Sequence, residues 1–251
     1  MIKLNNISFS YGKKAIINNI SAEFECGKLY GILGANGSGK TTLLKLVSGI
    51  LKPDYGEITI DGLEITNRKV KAQKLALMPQ YRSLPDMTVW DFVACGRFPH
   101  SYHLSVKDTE IIGSVLKTTD LTPLKDRFLN TLSGGERQKA YLALCLAQDT
   151  DCILLDEPTT YLDIAVSHSF MEILTGLKAE NKCIVSVFHD ISLALKYCDE
   201  LLILKSGNLC FTGTPEEVTE NDILKDVFGV ECVKFADGNE IYYNFKKIKT
   251  D

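Results

Sequence analysis

No stretch of the 251 residues stays apolar for the roughly 18 positions that a membrane-crossing helix needs, and Met1-Ile2-Lys3-Leu4-Asn5-Asn6 lacks the apolar core of a secretory leader. The expectation is a cytoplasmic chain that does not itself cross a membrane. The eight cysteines include no C-x-x-C pair, which argues against a zinc or cluster site, and a reducing compartment argues against disulfides. Several lie inside apolar segments and read as small buried hydrophobes. A formal charge of −4 leaves no general electrostatic footprint for nucleic acid, so no such partner is expected. Repeats, low-complexity tracts and sustained heptads are also missing, which excludes solenoid and long coiled-coil architectures. What the chain does have is 45% hydrophobic residues, enough to bury a substantial core.

Those residues are patterned in three ways along the chain. Ile2 to Phe9 and Ile16 to Phe24 alternate apolar and polar, and Gly56 to Gly62 reads as a strand closed by a turn, so an antiparallel β-subdomain is predicted first. From about Thr88 to Ala147 the spacing turns helical, as in Ile111, Ile112, Val115 and Leu116, and marks an insertion. From Cys152 onward strands and helices alternate, which implies crossover units and a parallel sheet. The tail after about Gly229 reads as irregular and richer in lysine.

The phosphate-cradling pattern G-x-x-x-x-G-K-[ST] occurs once, as Gly34-Ala35-Asn36-Gly37-Ser38-Gly39-Lys40-Thr41. It stands between an apolar strand, Leu29 to Leu33, and a helical run from Thr42 that stops at Gly49. Glycines let the backbone curl so that successive N–H groups face a triphosphate, while the following helix adds the positive end of its dipole. Lys40 supplies a cation to the β- and γ-phosphates, and the Thr41 hydroxyl can ligate magnesium.

Cys152 to Leu155 is an apolar strand that ends in Asp156 and Glu157. Strand ends in open α/β sheets are where ligands bind. Adjacent side chains on extended backbone point opposite ways, so Asp156 is expected to hold magnesium through its water shell while Glu157 faces an attacking water as general base.

Leu132-Ser133-Gly134-Gly135-Glu136-Arg137-Gln138 opens another helix, where Ser133 by itself would be an ordinary N-cap. A Leu-Ser-Gly-Gly-x-x-Gln segment upstream of an Asp-Glu strand resembles the signature motif of the ABC ATPases. That resemblance covers residues 1 to 230 and has further elements in family order. It implies that Ser133, Gly134 and Gly135 reach the nucleotide held by a second subunit, that Tyr11 stacks on adenine, and that Gln80 contacts magnesium and the attacking water. It also implies that Thr42 belongs to the nucleotide site, that Asp163 lies at the dimer contact and that His189 touches the γ-phosphate. Leu144 departs from the pattern, standing where many members carry arginine.

The fold implied is α/β, a P-loop NTPase core with a mixed, mainly parallel sheet, an N-terminal antiparallel β subdomain and an inserted α-helical subdomain. Its expected division is a single domain over 1–230, with core segments 1–87 and 150–230, a helical subdomain over 88–149, and a tail over 231–251. The function implied is ATP hydrolysis with magnesium by Lys40, Gln80, Glu157 and His189, at an interface between two copies. Because any pore must belong to another chain, an importer built from separate subunits is expected. The chain would sit on the inner face of the membrane through a permease dimer, served by an extracytoplasmic substrate-binding protein.

The stretch Thr88 to His100, with Gly96-Arg97-Phe98-Pro99-His100 at its end, is similar to importers of iron–siderophore complexes, haem and cobalamin, as are Ala147 to Thr150 and Thr159 to Ile164. Ferric siderophore or ferric citrate is the first cargo reading, with haem or cobalamin behind it. Two other classes compete: a non-transporting ABC ATPase of the iron–sulfur cluster assembly type, and a protein that binds nucleotide without cleaving it. Gly96 to His100 argues against the former, and Glu157 with His189 against the latter.

Overall fold

A computed structural model describes the chain apart from residues 65–66, 81–83, 102, 238–239 and 249–251. Three strands, β1 (Ile2–Tyr11), β2 (Lys14–Phe24) and, after the first helix, β4 (Tyr55–Ile60), form an antiparallel sheet in the order β2-β1-β4. Alternation, shifted by one residue at an irregularity where Asn6 has φ of 50°, puts Ile2, Leu4, Ile7 and Phe9 on its covered face. Between them run β3 (Leu29–Gly34) and α1 (Lys40–Val47); the helix starts at the phosphate-loop lysine, two residues earlier than the apolar run suggested.

The middle of the chain runs through α2 (Arg68–Ala72), β5 (Leu75–Met78), α3 (Val89–Ala94), α4 (Val106–Thr118) and α5 (Gly134–Ala147). It continues as β6 (Cys152–Asp156), α6 (Ile164–Ala179), β7 (Cys183–Val187), α7 (Ile191–Tyr197), β8 (Glu200–Lys205) and β9 (Asn208–Gly213). Six of these strands make the main sheet, in the order β5-β6-β7-β3-β8-β9, with only β9 antiparallel to its neighbour.

Period-two alternation splits the strand side chains between two cores. Leu29, Leu33, Ile153, Leu155, Ile184, Leu201 and Ile203 face the helices α3 to α7, while Tyr30, Ile32, Leu154, Val185, Leu202 and Leu204 face α1 and the antiparallel sheet. A sheet buried on both faces needs such continuous apolar strands. The crossover order also matters for function. Strands β5, β6, β7 and β3 are neighbours, and all four end at the same edge, so the segments that follow them are brought together.

After α8 (Pro215–Glu220) and α9 (Ile223–Phe228), the tail expected to be irregular forms a regular hairpin, β10 (Val230–Asp237) paired with β11 (Glu240–Lys247). Its inner face, Val230, Cys232, Tyr243 and Phe245, packs on the helix-side core. The alternation in the sequence is imperfect: Lys234 and Lys247 fall in register with the packed residues, and Val233, Phe235 and Tyr242 fall on the other face.

Candidate functional site

The phosphate loop leaves β3 at Gly34, whose φ of 155° and tight surroundings demand glycine: a Cβ there would lie 2.4 Å from the Leu204 carbonyl oxygen and 2.5 Å from Ser38 Oγ. Gly37 and Gly39 also have positive φ, which curls the loop. A cavity of about 270 Å³ opens before it, lined by Asn36 to Thr42, Glu157, Lys14 and Ile16.

Three charged groups are nearly closed off here: Lys40 is 6%, Asp156 4% and Glu157 7% exposed. Lys40 Nζ donates to the Gly34 carbonyl at 2.7 Å and to that of Ala35 at 3.2 Å. Burial pushes its pKa down, against the pull of Glu157 and Asp156. The Thr41 hydroxyl donates to Asp156 Oδ1 at 3.1 Å, and burial pushes the Asp156 carboxyl up. Desolvation penalises the charged form of both groups.

Glu157 corrects the expectation of two extended neighbours. It lies just past β6 with φ of 54°, so the backbone turns and both acids enter one site rather than opposite faces. Its Oε2 accepts from Gln80 Nε2, and its Oε1 accepts from His189 Nε2 at 2.7 Å. Gln80 follows β5 and His189 follows β7, on either side of β6 in the sheet. Glu157 is therefore held between donors from both neighbouring strands. A carboxylate has about four lone-pair positions, so this arrangement leaves room for a water proton.

Ser38 Oγ is buried and has no hydrogen-bond partner. An orphaned hydroxyl inside a loop of curled glycines, beside a desolvated lysine, fits a group rich in oxygen acceptors. Among the described residues no three His, Cys, Asp or Glu side chains gather as a metal cage. Thr41 and Asp156 suit a magnesium ion that takes its other ligands from phosphate and water.

Residues 17–160, more than half of the chain, match the family model described as "ABC transporter". The chain belongs to that family. It is 38% identical over 255 residues to the petrobactin import ATP-binding protein FpuC of Bacillus anthracis, covering 99% of this chain and 94% of the relative. It is 34% identical to the ferric enterobactin transport ATP-binding protein FepC of Escherichia coli, covering 92% and 88%. A solved structure reported as an inward-facing metal-chelate type ABC transporter matches with a TM-score of 0.86 at 26% identity, over 99% of this chain and 97% of that one. The α/β ABC ATPase fold and the ATPase class expected from the sequence both hold.

In this ABC ATPase the other expected residues occupy separate places. Ser133 N-caps α5 in a capping box: its Oγ accepts from Glu136 N–H, and Glu136 accepts from Ser133 N–H at 2.7 Å. Ser133, Gly134 and Gly135 line a second cavity, of about 460 Å³, shared with Tyr161, Leu162 and Asp163. It has no lining residue in common with the phosphate-loop cavity. Asp163 is exposed and caps α6, accepting from Val166 N–H at 2.8 Å. Tyr11 is half exposed at the end of β1, edge-on to Phe9 with ring centroids 4.9 Å apart.

Sequence reasoning missed Lys14, a cation lining the phosphate-loop cavity from the start of β2. The signal was the Lys13-Lys14 pair straight after Tyr11-Gly12. It also missed that the eight free cysteines include a paired row, with Cys152 opposite Cys183 across β6 and β7. Among the described residues no helix is long and apolar enough to cross a membrane.

Proposed function

We propose that this chain is the ATP-hydrolysing subunit of an importer for a ferric siderophore or a similar metal chelate. Two copies bind two ATP molecules, each between Lys40 of one copy and Ser133 of the other. The observation that carries this reading is the row Gln80–Glu157–His189 beside the phosphate loop, with Ser133 facing a cavity of its own. A nucleotide in the first cavity meets Ser133 only if a second copy supplies it.

Lys40 keeps one N–H free beyond its two loop carbonyls, and that donor meets the γ-phosphate. Glu157 takes a proton from water as its oxygen attacks the γ-phosphorus, while the bond to the bridging oxygen breaks and ADP leaves with the electron pair. Gln80 and His189 hold the carboxylate in place for that transfer, and His189 also reaches the γ-phosphate. Thr41 and Asp156, with Gln80, would hold a magnesium ion, which would supply charge neutralisation on the phosphates. Tyr11 stacks on the adenine ring, and Asp163 lies at the contact between copies. Closure is passed to a permease dimer that receives its cargo from an extracytoplasmic binding protein, and the chain sits on the inner membrane face through that permease. The cargo class rests on relatives named for petrobactin and enterobactin import.

The test is Glu157→Gln, with phosphate release and nucleotide binding measured on the same preparation. The expected outcome is unchanged ATP affinity with turnover reduced by about 10² to 10⁴. Full turnover would remove Glu157 as base. Uptake of radiolabelled ferric chelates by cells with and without the chain tests the cargo.

A further inference from the structure

Two segments singled out by the sequence, Gly96 to His100 and Ala147 to Thr150, have no part in the chemistry above, yet they grip each other. Gly96 packs so closely on the end of α5 that a Cβ would lie 2.4 Å from the Leu144 carbonyl oxygen. Arg97, 5% exposed, pairs with the equally buried Asp108 at 2.7 Å and donates to the Ala147 carbonyl at 2.8 Å. His100 Nε2 donates to the Gln148 carbonyl at 2.8 Å. The last carbonyls of α5, which a helix leaves unpaired, are thus capped by side chains from this segment.

Gln148 then reaches the other way. Its Nε2 donates to the carbonyls of Ala72 and Leu75, the latter at 2.9 Å, where α2 passes into β5. Gln73, from the same junction, donates back to the Pro99 carbonyl at 2.9 Å. Both ends of this link lead to the nucleotide. Helix α5 begins at Ser133 and ends against Gln148, while β5 begins at the carbonyl that Gln148 holds and runs four residues to the segment carrying Gln80.

We propose that Gln148 and Gln73 form a positioning clasp that fixes the signature helix to the Gln80 strand, so that Ser133 and Gln80 move as one body when the ATP site closes. The proposal rests on the two-copy site described above. Both glutamines stand at the far end of their elements from the nucleotide and act only through Ser133 and Gln80. Loosening the clasp leaves nucleotide binding at the phosphate loop intact and misaligns the closed state, in which hydrolysis occurs.

The test uses the whole chain with Gln148→Met, Gln73→Met and the double variant; methionine keeps the volume and removes the donors. The readouts are ATP affinity, KM and kcat. For Gln148→Met the expected result is a fall in kcat of about tenfold, with ATP affinity and KM within about twofold. The double variant should be no worse than Gln148→Met alone, since a clasp opened on one side is already open.

A kcat within about twofold of wild type, a loss of ATP affinity by the same factor as kcat, or multiplicative effects of the two substitutions would each overturn the clasp. If Gln148→Met does not fold, Gln73→Met is judged alone by the kcat and affinity criteria. A wild-type chain without ATPase activity would overturn the hydrolytic reading first, and the clasp with it.

Discussion

The two cavities that would meet one ATP molecule are prepared in opposite ways. At the phosphate loop the chain holds charge under strain: Lys40 and Asp156 are pushed away from their charged forms by burial, and Ser38 Oγ has no partner. At the signature the helix start is already capped in the lone chain, although Arg137 Nε, further along the motif, is buried without a partner. Ser133 and Glu136 satisfy each other, and the Ser133 N–H bond holds the Glu136 carboxyl below the usual carboxylate range. On the proposed two-copy reading, the site that captures ATP unaided carries its desolvation cost in advance, whereas the one brought up by a second copy stays solvated and self-capped in the lone chain.

The largest effect that would break this contrast is at Ser133. Aspartate caps a helix as well as serine does, so Ser133→Asp should leave thermal stability and ATP affinity nearly unchanged. Its negative charge faces the incoming phosphate, and hydrolysis should fall by about 100-fold in a phosphate-release assay. Retained activity would mean that the signature cavity never meets a nucleotide.

A smaller, two-sided effect is expected at Asp156. Burial raises its carboxyl pKa, so the charged form destabilises the lone chain at pH above that value, and the penalty fades as pH falls below it. Asp156→Asn should therefore raise the melting temperature of the nucleotide-free protein at neutral pH. The same variant should weaken magnesium-dependent ATP affinity by about tenfold, read by titration.

The smallest effect is electrostatic and lies away from both cavities. Hydrogen bonds from the Ser105 hydroxyl and N–H, together with the Arg97 guanidinium, hold Asp108 well below its ordinary value of 3.8. A lowered carboxylate stabilises the fold above that ordinary value and loses the contribution as pH falls below it. The urea midpoints of wild type and Asp108→Asn should differ at neutral pH, and the gap should begin to narrow only below about pH 3.8, shrinking further as pH approaches the lowered value. Equal midpoints at neutral pH would make the Arg97–Asp108 pair dispensable to the helical region.

Much of this was legible from local pattern. The phosphate loop, the apolar strand ending in Asp156-Glu157, and Ser133 at a helix start each follow from residues adjacent in the chain. The hairpin over β10 and β11 was missed because its period-two pattern is broken on both faces, by Lys234 and Lys247 in register with the packed residues and by Val233, Phe235 and Tyr242 on the opposite face. The turn at Glu157 was missed because an isolated positive φ in a non-glycine residue has no sequence signature.

The sequence by itself determined the chemistry on offer: which groups can bind phosphate, hold a cation or take a proton. Only the tertiary structure decided which of them cooperate. Gln80, Glu157 and His189 come from three separate segments, and they meet because β5, β6 and β7 are neighbours and end at one edge. The grip of Gln148 on β5 has the same origin, since strand order is set by long-range packing of two buried faces and not by any run of neighbouring residues.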